Sequence, residues 1–134
     1  MTTSQTLSGG CHCGAVRYAS QASPPFSIIC CCTQCQKITG AGRAPQFALP
    51  KATVTVDGTL AFFDLKADSG NAVQSAFCPA CGSPVYKSSS GFADFLFFHA
   101  ATLDDPSQYQ PQRVVWARSR QPWDHLDPAL PMED

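Results

Sequence analysis

Residues 78–82 read Cys78-Pro79-Ala80-Cys81-Gly82, and the stretch gains its meaning from Cys11-His12-Cys13, since 64 residues lie between Cys13 and Cys78. Pro79 presets one backbone angle of a tight turn, and Gly82 is free to take a positive φ just past the second cysteine. If Cys11 and Cys13 lie on an extended strand, their side chains share a face and span one edge of a tetrahedron whose Zn–S bonds are about 2.3 Å, with His12 facing away. Cys11, Cys13, Cys78 and Cys81 therefore form a candidate closed four-thiolate site. Structural zinc of this kind supplies on the order of 10 kcal/mol of apparent binding energy at neutral pH. Disulfides between such close neighbours would be strained. A thioredoxin-like redox pair at Cys78 and Cys81 would want a βαβ context, whereas Val73 to Phe77 and Val85 to Tyr86 read as short strands.

The other four cysteines occupy Cys30-Cys31-Cys32-Thr33-Gln34-Cys35. Cys30, Cys32 and Cys35 offer three ligands from one continuous segment with no obvious fourth. Catalytic zinc sites keep such a position open, while structural ones fill it. The competing reading is that His99 or another distant group closes the site. Cys31 should point opposite to Cys30 and Cys32, and reads as a small buried side chain. Three soft donors already quench much of the metal's acidity, so the open position suits exchange of a thiol, bound as thiolate, better than activation of water. Lys37, two residues past Cys35, is placed to offset the negative charge of this site or to attract an anionic substrate, or simply to sit in solvent.

The chain of 134 residues fits one domain, residues 1–134. Charged residues are 14% of it and the formal net charge is −1, so no basic surface awaits nucleic acid. Loading the two sites with Zn²⁺ would lower that charge by a further two and one. Apolar runs such as Phe95 to Phe98 are far short of the ~20 residues of a membrane span. Met1 to Thr6 has neither a basic start nor an apolar segment. We expect a soluble protein of a reducing compartment, the cytoplasm, whose cysteines are metal ligands and not disulfides.

Elsewhere, short apolar or alternating runs are cut by Gly, Pro, Asp and Ser: Ala15 to Ala19, Phe26 to Ile29, Gln46 to Leu49, Thr53 to Val56, Leu60 to Leu65, Ala72 to Phe77, Val85 to Lys87, Phe95 to His99 and Val114 to Ala117. Many short strands predict an all-β domain. Asp57-Gly58 signals a hairpin between Thr53–Val56 and Leu60–Phe63. Thr33 to Thr39 is the one helical turn, with Thr33 as N-cap and Gly40 as stop. His99 reads as a hydrogen-bonded, partly buried histidine. The tail, residues 121–134, is expected to lie as irregular chain over the sheets, anchored by Trp123.

Taken in order, Gly10-Cys11-His12-Cys13-Gly14, Cys30 to Lys37 with Gly40, Phe77-Cys78-Pro79-Ala80-Cys81-Gly82-Ser83, Thr102-Leu103-Asp104-Asp105-Pro106 and Pro122-Trp123 resemble the glutathione-dependent formaldehyde-activating enzyme family, which includes centromere protein V. The resemblance covers nearly the whole chain. It implies a β-tent of short antiparallel sheets stapled by zinc, a structural zinc on Cys11, Cys13, Cys78 and Cys81, and a second, catalytic zinc on Cys30, Cys32 and Cys35. It also implies carbon–sulfur lyase chemistry, the reversible addition of glutathione's thiol to formaldehyde. The family usually has His where this chain has Cys31, and Arg where it has Gln36. Two functions follow as expectations: a zinc enzyme joining a thiol such as glutathione to formaldehyde or a related aldehyde, or a noncatalytic zinc-stabilised module that binds another protein.

Overall fold

The computed structural model describes residues 6–134. Ten strands and one α-helix follow one another along the chain: β1 (Leu7–Gly10), β2 (Arg17–Ser20), β3 (Ser27–Cys30), α1 (Thr33–Thr39), β4 (Ala44–Pro50), β5 (Val54–Asp57), β6 (Ala61–Lys66), β7 (Ala72–Phe77), β8 (Pro84–Ser89), β9 (Phe95–His99) and β10 (Arg113–Val115). They form a three-stranded sheet in the order β1-β2-β5 and a seven-stranded sheet in the order β10-β3-β4-β9-β8-β7-β6. The all-β reading is thus correct, with one refinement: β10 runs parallel to β3, pairing Val114 with Ile29. That pairing joins segments far apart in sequence, and β10 has only three residues, too few to carry a pattern of its own.

The Asp57-Gly58 hairpin does not form. β5 pairs with β2, setting Asp57 opposite Arg17, while β6 pairs along its whole length with β7. Gly58 instead lets the chain leave one sheet for the other: its φ is +98°, and a Cβ there would stand 2.1 Å from the Ala15 carbonyl oxygen. The close approach of two backbones, not a two-residue turn, requires this glycine.

The main core lies between the sheets. Tyr18, Phe47 and Phe98 are buried within it, with ring centroids 4.3 Å apart for Tyr18–Phe98 and 5.7 Å for the stacked Phe47–Phe98 pair. Burying each such ring is worth roughly 1.5–3 kcal/mol. Ile29, Cys31, Val114 and Ala117 make a smaller cluster on the outer face, covered by Leu126 and Leu130 of the tail. The tail is irregular, as expected, but Trp123 does not anchor it, being 64% exposed. The anchors are Asp124, which accepts two hydrogen bonds from Arg43 Nε and one from Nη2, and backbone bonds from Val114 to Pro131 and from Glu133 to Val114. A bidentate carboxylate–guanidinium pair fixes a loop better than an indole lacking a pocket.

Candidate functional site

Two groups of sulfurs gather as the spacing requires. Cys11 and Cys13 lie in the turn that follows β1, not on an extended strand: Gly14 N–H returns to the Cys11 carbonyl at 3.2 Å. Cys78 and Cys81 lie in the turn joining β7 to β8, closed by Gly82 N–H to Cys78 O at 2.8 Å. The four Sγ atoms lie within 4.8 Å of one another, with 3.6 Å between Cys11 and Cys13 and 3.8 Å between Cys13 and Cys78. A tetrahedron with 2.3 Å metal–sulfur bonds has edges of ~3.8 Å, so this donor set fits such an ion. Among the described residues no α-helix follows Cys81, and the redox-pair reading lacks its βαβ frame.

The surroundings favour thiolates here. Val16 N–H donates to Cys11 Sγ at 3.2 Å, and this bond lowers the Cys11 proton affinity. The Ser83 hydroxyl lies 3.2 Å from Cys81 Sγ, and together with nearby backbone N–H groups pulls that thiol down to about 5. The same hydroxyl accepts from His12 N–H at 3.1 Å, tying the two turns together. For Cys13 the Ala15 backbone favours ionisation, yet the sulfurs of Cys11 and Cys81 outweigh it and push the thiol up to about 11. Four sulfurs this close do not all ionise without a cation among them.

The second group is made by a strand end and a helix start. Cys30 ends β3, Cys35 sits in the first turn of α1, and Cys32 rather than Thr33 is the N-cap, its sulfur accepting from Cys35 N–H at 3.3 Å. A thiolate is a stronger acceptor for the free N–H groups of a helix start than a neutral hydroxyl, and the cap thereby orients a ligand. The three Sγ atoms lie within 4.8 Å of one another, and among the described residues no fourth His, Cys, Asp or Glu completes the group. Hydrogen bonds to Cys30 and Cys35 pull Cys32 down to about 2, while bonds to Cys32 and Cys35 push Cys30 up. Both groups can hold a metal ion. Cys31 is fully buried in the outer cluster, turned away from these sulfurs as the alternation predicts.

Lys37 is exposed on α1 and does not line the cleft beside this group. The lysine that does is Lys87 on β8, whose Nζ donates to Cys35 Sγ at 3.4 Å and lies 5.8 Å from the centroid of the Phe97 ring. Burial works against its charge, but Cys35, Cys30 and Cys32 raise its pKa overall. Alternation does not reveal it: Val85 and Tyr86 both pack on the main core where a bulge shifts the β7–β8 register, and Lys87 emerges on the other face, opposite Phe97. His99 is buried on β9 and stands outside the sulfur group. Contrary to the sequence reading, its Nε2 has no hydrogen-bond partner. Burial, helped by Lys87, lowers its pKa to about 4 and keeps the imidazole neutral. Its register partner on β4 is Gln46, whose amide nitrogen lies 3.8 Å from Cys35 Sγ.

The cleft has two lobes that share Cys30, Lys87, Phe92 and Trp116. One, about 240 Å³, is lined by Cys32, Thr33, Gln34, Asp68, Ser69, Asn71 and Ser89. The other, about 420 Å³, is lined by Phe26, Ile28, Phe97 and Val115, with Arg113 and Glu133. Trp116 takes a left-handed backbone conformation, φ 57° and ψ 37°, which costs a non-glycine residue roughly 1–2 kcal/mol. Such strain persists where surrounding contacts over-determine it, and here it falls on the residue common to both lobes.

A family model described as glutathione-dependent formaldehyde-activating enzyme matches residues 6–119. A curated protein of Halomonas elongata, provisionally named a glutathione-dependent formaldehyde-activating enzyme, is 26% identical over 113 residues, covering 81% of this chain and 72% of that protein. The fold recurs in the crystal structure of a Rhodobacter sphaeroides protein, with a TM-score of 0.60 at 15% identity, over 95% of this chain and 99% of that one.

Proposed function

This chain belongs to the glutathione-dependent formaldehyde-activating enzyme family, and from that membership we propose that it is a zinc-dependent carbon–sulfur lyase that reversibly joins a thiol such as glutathione to an aldehyde. The observation that carries this reading is the three-cysteine group of Cys30, Cys32 and Cys35, which borders a cleft and has no fourth protein ligand within reach among the described residues. A noncatalytic module would have no use for such a position beside a cavity.

Cys11, Cys13, Cys78 and Cys81 would hold a structural zinc, which clamps two turns and draws no substrate. Cys30, Cys32 and Cys35 would hold the second. When bound there, zinc supplies a Lewis-acid position with affinity for a soft thiolate. The remaining work falls to the chain. Lys87 places a positive charge against Cys35, which favours negative charge where a thiol loses its proton and where a carbonyl oxygen becomes an alkoxide. Gln34, Ser69, Asn71 and Ser89 offer donors and acceptors suited to the amides and carboxylates of a peptide-like thiol. Phe92 and Trp116 line both lobes and give their junction an apolar side. Lys87, not the exposed Lys37, is the side chain assigned to charge compensation. Eight free cysteines suit a reducing compartment, and the cytoplasm is the proposed location. Among the described residues no helix is long and apolar enough to cross a membrane.

The test is hemithioacetal formation and breakdown by zinc-loaded protein with glutathione and formaldehyde. Acceleration over the uncatalysed reaction, lost in Cys32→Ser, is expected. A fully loaded protein that neither binds glutathione nor changes the rate would contradict the proposal.

A further inference from the structure

The apolar lobe is larger than a one-carbon aldehyde needs. Phe26, Phe92 and Phe97 form three sides of a box, with centroids 6.4 Å apart for Phe26–Phe92, 5.7 Å for Phe26–Phe97 and 5.5 Å for the edge-on Phe92–Phe97 pair. Ile28, Val115 and Trp116 complete the lining of a space of about 420 Å³, within the range that holds drug-sized ligands. Its charged groups are already engaged: Arg113 pairs with Glu133 at 3.2 Å, and Lys87 with Cys35. An apolar substituent would find six apolar walls. Formaldehyde has no substituent to place in it.

Resting on the thiol-addition reading, we propose that the aldehyde substrate carries an apolar substituent of several carbons, which occupies this lobe while the thiol lies along the polar one. The two lobes meet at Cys30, Lys87, Phe92 and Trp116, so an aldehyde carbon at that junction has one direction for an apolar chain and another for the incoming sulfur. The step is redox-neutral and needs no further reactant. A sulfur–carbon bond forms, the π bond of the carbonyl breaks, its electron pair moves to oxygen, and the thiol proton ends on that oxygen. Arg118 lies over the Trp116 ring, 4.9 Å from its centroid, on a residue already fixed in a strained backbone conformation. That wall is held in place before any ligand arrives.

The experiment compares acetaldehyde, propanal, butanal and hexanal, which differ little in intrinsic reactivity, with glutathione and zinc-loaded protein. Each methylene buried is worth roughly fourfold, so kcat/KM is expected to climb severalfold per carbon and to level off as the lobe fills. In Phe92→Ser, a change at a half-exposed side chain, the climb should flatten. An equally steep climb in that variant, or a flat series in the wild type, overturns the proposal. An independent readout uses Trp123→Phe, which leaves Trp116 as the one indole. Hexanamide, an unreactive probe, should shift its emission saturably, and acetamide should not. If no aldehyde reacts, the thiol-addition reading fails, and hexanamide then decides the lobe alone: saturable binding retains an apolar-ligand site, and no binding removes it.

Discussion

Lys87 Nζ donates to Cys35 Sγ across 3.4 Å, joining β8, an interior strand of the larger sheet, to α1, which carries Cys35 and is capped by Cys32. Without a metal Cys32 is the one thiol of the three held ionised, whereas a divalent ion makes a thiolate of Cys35 too, the sulfur that Lys87 touches. The ammonium therefore favours the loaded state. At an effective dielectric near 20 the attraction over ~5 Å is about 3 kcal/mol at most, and water and side-chain adjustment reduce it. Lys87→Met should weaken metal binding at this site about tenfold in chelator competition, and Lys87→Arg should restore most of it. Equal affinity in all three proteins would show that the contact carries no charge compensation.

Cys31 separates ligand from packing. It is fully buried against Ile29, Val114 and Ala117, so Cys31→Ala should keep full metal content and lose about 1 kcal/mol of stability, the scale of a small core truncation. Loss of a metal equivalent would make it a ligand after all.

The two sulfur groups should fail differently. Cys78→Ser opens the clamp between turns distant in sequence and should abolish cooperative unfolding or lower Tm by more than 10 °C, on the order of the several kcal/mol that a structural metal supplies. Cys32→Ser removes a ligand from a group held within one segment, and should cost one metal equivalent with the far-ultraviolet spectrum unchanged. Metal analysis alongside thermal melts reads both.

His99 ties stability to pH. Its folded pKa is lowered to about 4, below the ordinary value near 6.5 of an unfolded histidine. The unfolded chain therefore takes up the proton first. The neutral, buried form contributes fully above pH 6.5, and stability falls as pH drops from 6.5 toward 4, by up to about 3 kcal/mol. Urea unfolding of wild type and His99→Gln across that window should show the steeper loss in the wild type. Parallel pH profiles would assign the acid sensitivity to the cysteines alone.

Much of this was legible in the sequence because metal spacing is local. Cys78 to Cys81, Cys30 to Cys35 and the helix from Thr33 to Thr39 each announce themselves within a few residues. What escaped was non-local. Asp57-Gly58 carries the composition of a hairpin, but β5 and β6 find their partners in β2 and β7, and Gly58 serves a backbone crossing. β1 was missed because Ser8, Gly9 and Gly10 have little strand preference, and pairing with β2 decides the matter. Lys37 drew attention by proximity in sequence to Cys35, while Lys87, 52 residues away, reaches that sulfur across the sheet. Trp116 gave no signal at all, since neither its strained backbone nor its place between the lobes has a sequence mark.

The most direct test of the account is a titration of cobalt-substituted protein with glutathione, followed by the sulfur-to-metal charge-transfer absorption. We expect that band to grow and saturate as glutathione sulfur joins Cys30, Cys32 and Cys35, and we expect Cys32→Ser to abolish the change while the four-cysteine site stays silent. A spectrum of the fully loaded wild type that does not respond to glutathione would contradict the claim that the second centre receives a thiol.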